Sequence, residues 1–290
     1  MSFLFIAIVC SVLLGFIFKL FLRFKVDTFQ AIVFNYFTCL TCGWLHLGHF
    51  PVERATFDMP WFPYALFLGL IFISGFYTSA LTVRYFGVTV SQVMQKMSIL
   101  ASVPFAVFVC GETAGIGKVT GFFMALCAIV LVNFPFRARE SEQEGQKTGL
   151  WWVPLITWVL AGVIEVVFLR VQYRPLAAMS QPDFIVTVFG TAGLIGLLFA
   201  VRGWVTGKMV FAWKNLIGGV VLGIPNYGSM LFMLWALADG LGGSVVFPVN
   251  NVGIIVATAI GAVLIFREHL SRINWAGVGL AALSIILMAY

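Results

Sequence analysis

Charge is what this sequence has least of. Asp, Glu, Lys and Arg make up 10% of its 290 residues, against roughly 25% in a soluble domain. With 61% of the residues hydrophobic, too little polar surface remains to coat a water-soluble globule. The few charges sum to +6. The basic residues fall between apolar runs, which is the pattern of anchoring at a membrane surface, and no nucleic-acid partner is expected. Histidine is scarce as well. His46, His49 and His269 stand near predicted loops without metal-ligand spacing. Neither a His/Asp/Glu cluster nor a nucleophile elbow is present, so no metal, cofactor or enzymatic activity is expected. The five cysteines (Cys10, Cys39, Cys42, Cys110 and Cys127) lie in or beside apolar stretches and offer no disulfide framework. Cys39 and Cys42 form a C-x-x-C pair, but in an apolar setting they read as packing residues. Two-residue alternation is missing too, which argues against a β-barrel.

What the sequence has in abundance is long apolar runs. About 20 apolar residues cross the hydrocarbon core as a helix. Such runs lie near 2–22, 28–48, 61–85, 88–110, 114–134, 150–171, 183–204, 213–237, 243–266 and 273–289. The first reads as a span, since no basic stretch or small-residue cleavage site brackets it. The expected fold is therefore an all-α integral membrane protein of ten transmembrane helices, with a lipid bilayer as its surroundings.

The one long polar break separates two groups of five runs. Residues 1–136 and 150–290 form the groups, and 137–149 is a polar linker carrying Arg137, Arg139, Glu140, Glu142, Glu144 and Lys147. The groups repeat. Shifting 87–131 by 156 positions aligns twelve identical residues out of 45, among them Gly87/Gly243, Val93/Val249, Glu112/Glu268 and Gly121/Gly277. Chance would supply about four. Earlier in the chain, Val12-Leu13-x-Gly15-x-Ile17 matches Val159-Leu160-x-Gly162-x-Ile164. A five-helix unit is odd, so the second copy inserts from the opposite side and the repeats are inverted. Twelve Lys and Arg residues fall on one side and four on the other, with Lys96 inside a span. The rich side is expected in the cytoplasm, leaving both termini outside.

Glu112 with Gly121, and Glu268 with Gly277, each end one span and open the next. At these paired segments the sequence resembles the drug/metabolite transporter superfamily, in its ten-helix EamA-type form, over essentially its whole length. The resemblance implies two inverted five-helix bundles around a central site lined by spans one to four and six to nine. Members carry small metabolites and drugs, and many keep both termini in the cytoplasm, unlike the charge count here.

Polar residues inside spans are the candidate site, because a charge at mid-bilayer costs roughly 2.5–3.5 kcal/mol unless it faces a cavity or a partner. Gln92, Gln95 and Lys96 share one helical face in the fourth span. There Lys96 either attracts an anionic group or is a structural lysine. Asn250 and Asn251 follow Pro248 in the ninth span, and either bind solute or bond between helices. Gly223, Pro225, Asn226, Tyr227 and Gly228 interrupt the eighth, as a kink or unwound stretch, or as simple close packing. Tyr77 in the third span could face Tyr227 across a flat solute, and Asn35 lies in the second. Glu165 in the sixth is either a proton-coupling carboxylate, the partner of a cationic solute or of Lys96, or a structural acceptor. The Gly111/Gly115, Gly117/Gly121 and Gly219/Gly223 pairs have the spacing of helix packing.

These features favour a secondary transporter in the cell membrane, monomer or homodimer, that moves a small organic solute by alternating access, with Lys96 favouring one bearing a carboxylate or other anionic group. The rivals are an exporter of cationic or amphipathic drugs coupled to protons through Glu165, and a channel or structural membrane protein.

Overall fold

The computed structural model describes residues 1–49, 54–86, 88–113, 115–133, 150–173, 180–240, 242–266 and 270–289. The 137–149 linker, Gly87 and Glu268 lie outside them. Every regular element among the described residues is helical: α1 (Ser2–Phe24), α2 (Thr28–Leu47), a 3-10 turn (Arg54–Asp58), α3 (Phe62–Phe86), α4 (Val88–Lys96), α5 (Ile99–Phe108), α6 (Ile116–Val132), α7 (Trp152–Tyr173), α8 (Gln181–Val205), α9 (Trp213–Ala238), α10 (Gly243–Phe266) and α11 (Arg272–Ala289). Six of them, α1, α3, α7, α8, α9 and α10, are long and apolar enough to cross a membrane, and α6 and α11 are shorter apolar helices. Length and composition are those of a helical membrane protein.

Two sequence expectations about these helices are corrected. The run 88–110 is not one helix. It breaks at Met97–Ser98 into α4 and α5, where Ser98 N bonds Gln95 O at 3.2 Å and Leu100 N bonds Met97 O at 3.0 Å in place of the four-residue ladder. Tightened turns of this kind inside a helix mark hinges and strained sites. Conversely, the stretch Gly223–Gly228 does not unwind. Helix α9 runs unbroken through Pro225, because one proline removes only one ladder bond.

The chain divides into two compact units, and both draw on both halves of the sequence. Unit 1 is 1–73 with 171–239, and unit 2 is 74–170 with 240–290.

In unit 1, α2 packs against α8 and α9, and α1 against α9. The α2–α9 contact is close because α9 presents Gly219 and Gly223. A Cβ on Gly219 would press on Phe34 and lie 2.8 Å from Ala31 O, and one on Gly223 would press on Thr38 and lie 2.8 Å from Asn35 O. Asp27 caps α2, accepting from Gln30 N at 2.9 Å, while its own N–H donates to Asn215 Oδ1 at 2.9 Å.

In unit 2, α6 and α11 form a close pair, and α10 packs against α5, α6 and α11. A Cβ on Gly121 would come within 3.0 Å of Ser284 O, and one on Gly277 within 2.6 Å of Val132 N. Asn274 Nδ2 donates to Val132 O at 2.8 Å, holding the end of α6. The Gly111/Gly115 pair is different: a Cβ on either would meet no atom within 4 Å among the described residues, and Gly111 turns the chain at φ +77° after α5.

Candidate functional site

Unit 2 holds a polar cluster assembled from four places in the chain. Lys96 ends α4, Ser98 sits in the break, Glu165 lies on α7 and Asn251 on α10. Lys96 Nζ donates to Asn251 Oδ1 at 3.3 Å. Asn251 Nδ2 donates to Glu165 Oε1 at 2.8 Å, and Ser98 Oγ donates to the same oxygen at 2.6 Å. One carboxamide therefore joins the ammonium and the carboxylate, accepting from the first and donating to the second. Charge-assisted bonds of this kind are roughly twice as strong as neutral ones. Ser98 and Asn251 are buried, whereas Lys96 and Glu165 each keep part of their surface accessible.

The break is what aims Ser98. At the break the Met97 carbonyl accepts twice, from Leu100 N at 3.0 Å and from Trp158 Nε1 on α7 at 2.9 Å. Helix α7 approaches α5 closely here, since a Cβ on Gly162 would lie 3.0 Å from Ala101 Cβ. Glu165 Oε2 and Ser102 Oγ are buried beside these groups, and the Ser102 hydroxyl faces the Glu165 carboxylate.

Of the fourth-span face, only Lys96 joins the cluster. Gln95 Nε2 donates instead to Ser79 Oγ on α3 at 2.8 Å, and Ser79 pairs with Ser91 at 2.9 Å. Gln92 is exposed.

Unit 1 holds a second polar group. Asn226 Nδ2 on α9 donates to Asn35 Oδ1 on α2 at 3.1 Å, and Cys39 Sγ donates to Gly223 O at 3.3 Å. Tyr227 Oη and His46 Nδ1 are 2.9 Å apart, with the two rings edge-on. Asn35 and Asn226 are both buried and fasten the glycine-lined seam between α2 and α9. Tyr77 is 57% exposed and belongs to unit 2, while Tyr227 is 7% exposed and belongs to unit 1.

Sequence reading passed over Ser98, Ser102, Trp158 and His46. It also missed how Glu112 is used. On the turn after α5, the Glu112 carboxylate accepts from Gly243 N at 2.6 Å and Ser244 N at 2.9 Å, and also from Ser244 Oγ. A negative group at a helix N-terminus satisfies its open N–H groups and its dipole. Glu112 thus fastens the start of α10, two turns before Asn251.

No family model matches the sequence. An uncharacterized protein of Haemophilus influenzae is 27% identical over 292 residues, covering 98% of this chain and 96% of its own. One solved crystal structure, 16% identical in sequence, superposes with a TM-score of 0.74 over 99% of this chain and 96% of its own. That likeness is one of fold.

Proposed function

We infer that the chain is a secondary carrier of the drug/metabolite transporter type, with ten spans in two inverted repeats, that moves a small organic solute across the cell membrane by alternating access. The observation that carries this reading is the Lys96–Asn251–Glu165 cluster. Within a helical membrane protein, Asn251 bridges the Lys96 ammonium and the Glu165 carboxylate beside a broken helix, and the two charged residues are neither fully buried nor fully exposed. Ionisable groups at that depth mark solute and ion pathways, and broken helices at binding sites are a recurrent feature of inverted-repeat carriers.

Helix pairing supports the same reading. Three of the five helix pairs that the repeat would make equivalent pack on each other: α2 on α8, α5 on α10, and α6 on α11. The Lys and Arg count supports both termini outside. One observation favours a second reading. Glu165 Oε2 is buried, which suits a carboxyl that takes up and releases a proton, and so suits proton-coupled export of a cationic drug. No enzymatic chemistry is assigned, and the carrier acts as a monomer or homodimer.

The test is counterflow. Purified protein in liposomes loaded with unlabelled solutes, taken in turn from a metabolite panel, is expected to accumulate the labelled form of one of them, saturably. Failure of every panel member with folded protein overturns the carrier reading, and non-saturating flux would make it a channel.

A further inference from the structure

One end of unit 1 concentrates positive charge. Arg23 and Lys25 lie where α1 gives way to α2, and Arg202, Lys208 and Lys214 where α8 gives way to α9; all five are exposed. Among the described residues Asp27 is the one acid at this end, and it is engaged in capping α2. The unit's other described acids, Asp58, Asp183 and Asp239, stand beyond the C-terminus of α2, at the start of α8 and at the end of α9. The fold makes one platform of the two basic turns. Asp27 N donates to Asn215 Oδ1 at 2.9 Å and Gln30 Nε2 to Val210 O at 3.0 Å, across 188 and 180 positions. Lys25, Lys208 and Lys214 each stand within two residues of one of these ties. Lys25 also has φ +50°, the left-handed conformation that favours glycine. A cation therefore occupies a turn position that the backbone alone would give to glycine.

An aromatic layer adjoins the charges. Trp204 of α8 stacks on Phe34 of α2 at 6.5 Å, and Phe211 meets Phe34, Trp204 and Trp213 edge-on at 5.5 to 6.1 Å. Trp213 is 70% exposed, and rings of this kind sit at the headgroup level of a bilayer. From there Lys214, Ile217, Val221 and Ile224 follow at three- and four-residue spacing along one exposed face of α9. The order on that face is a cation and then an aliphatic strip, which matches a phospholipid's headgroup and acyl chain. The positive-inside bias asks only that basic residues lie on one side. It calls neither for two distant turns fastened together nor for a lysine in a glycine conformation.

We propose that this end of unit 1 is a binding site for an anionic phospholipid, with its phosphate held by Lys25, Lys208 and Lys214 and an acyl chain lying along the exposed face of α9. Ammonium groups form charge-assisted bonds to phosphate, and each Lys or Arg beside an anionic headgroup strengthens binding about fivefold. The site rests on the helical membrane architecture and does not depend on transport, so the counterflow result does not bear on it.

The experiment titrates lipid into the full-length protein in a non-ionic detergent and reads its melting temperature, which a ligand raises by mass action. The probes are phosphatidylglycerol, phosphatidylcholine with the same acyl chains, and inorganic phosphate. Phosphatidylglycerol is expected to bind about tenfold or more tightly than phosphatidylcholine, and phosphate at the same concentration to give no shift. Lys208→Gln/Lys214→Gln should weaken phosphatidylglycerol binding about 25-fold and Lys25→Gly about fivefold. The glycine variant should lose no lipid-free stability, because glycine suits that φ, and it carries the test if the double variant fails to fold. Removing two cations from unit 2, in Lys118→Gln/Arg272→Gln, should change the affinity by less than about twofold. The proposal is overturned if phosphatidylcholine binds as tightly, if phosphate alone gives the same shift, if Lys25→Gly keeps full affinity, or if the unit 2 pair loses as much as the unit 1 pair.

Discussion

Lys96 and Glu165 depend on one neutral side chain, Asn251, to share their charges. Removing one partner of a buried pair strands the other, whereas removing both can be neutral. Lys96→Met, which removes one charged hydrogen bond, is therefore expected to destabilise the protein by about 1.5–3 kcal/mol, and the double variant Lys96→Met/Glu165→Leu to recover most of that loss. Denaturation of the purified variants reads this directly, and a double variant no better than the single would show that the two groups are not coupled. The charged and amide members of the cluster were legible in the sequence because such residues are conspicuous in apolar runs. Ser98 was not. Membrane helices use hydroxyls freely, since a Ser or Thr can bond a carbonyl of its own helix, as Thr38, Thr41 and Thr191 do here. Nothing in the sequence distinguishes Ser98, whose hydroxyl reaches across to another helix, from these.

At the scale of elements, two features carry tests. Glu112 holds the N-terminus of α10 through two backbone N–H groups and a hydroxyl. Glu112→Ala should cost about 0.5–2 kcal/mol, the range for losing a helix cap, with Glu112→Gln losing less; equal melting temperatures for wild type and Glu112→Ala would refute the clamp. Close helix approach makes the second test. Gly121→Val on α6 forces side-chain atoms against Ser284 O and Met288 of α11, and overpacking of this kind costs about 1–3 kcal/mol. Gly279→Ala on α11, where nothing lies within 4 Å, should leave the melting temperature unchanged or slightly raised, because alanine is the better helix former. The spacing of Gly117 and Gly121 pointed to helix packing, and packing is what they do. Spacing alone could not separate them from Gly111 and Gly115, which stand at a turn and a helix start. Likewise Pro225 advertised an unwound stretch where its helix runs on, and the break at Met97–Ser98 carries neither Gly nor Pro to advertise it.

For the whole molecule, the proposed topology makes a labelling pattern. With the native cysteines replaced, single cysteines at Ser2, Thr56, Thr113 and Asp239 should react with an impermeant maleimide from outside intact cells. Those at Lys25 and Lys208 should react only after permeabilisation. Labelling of Ser2 and Lys25 from the same side would refute an odd number of spans per repeat, and with it the inversion. The compact units cut across this repeat. Unit 1 joins 1–73 to 171–239 and unit 2 joins 74–170 to 240–290, so long helices such as α3 and α7 contribute to both.

Composition and periodicity alone determined that the chain is helical and membrane-bound, because a shortage of charge and runs of about 20 apolar residues leave few other stable arrangements. They also determined which few polar residues had to find partners. The tertiary structure decided which partners those were. Apolar helices in lipid associate through shape and a few hydrogen bonds, without a hydrophobic force to order them. The meeting of Lys96 with Asn251, or of Glu112 with Ser244, across 155 and 132 positions, follows from how closely glycine-bearing faces let the helices approach, and that is a property of the packed fold.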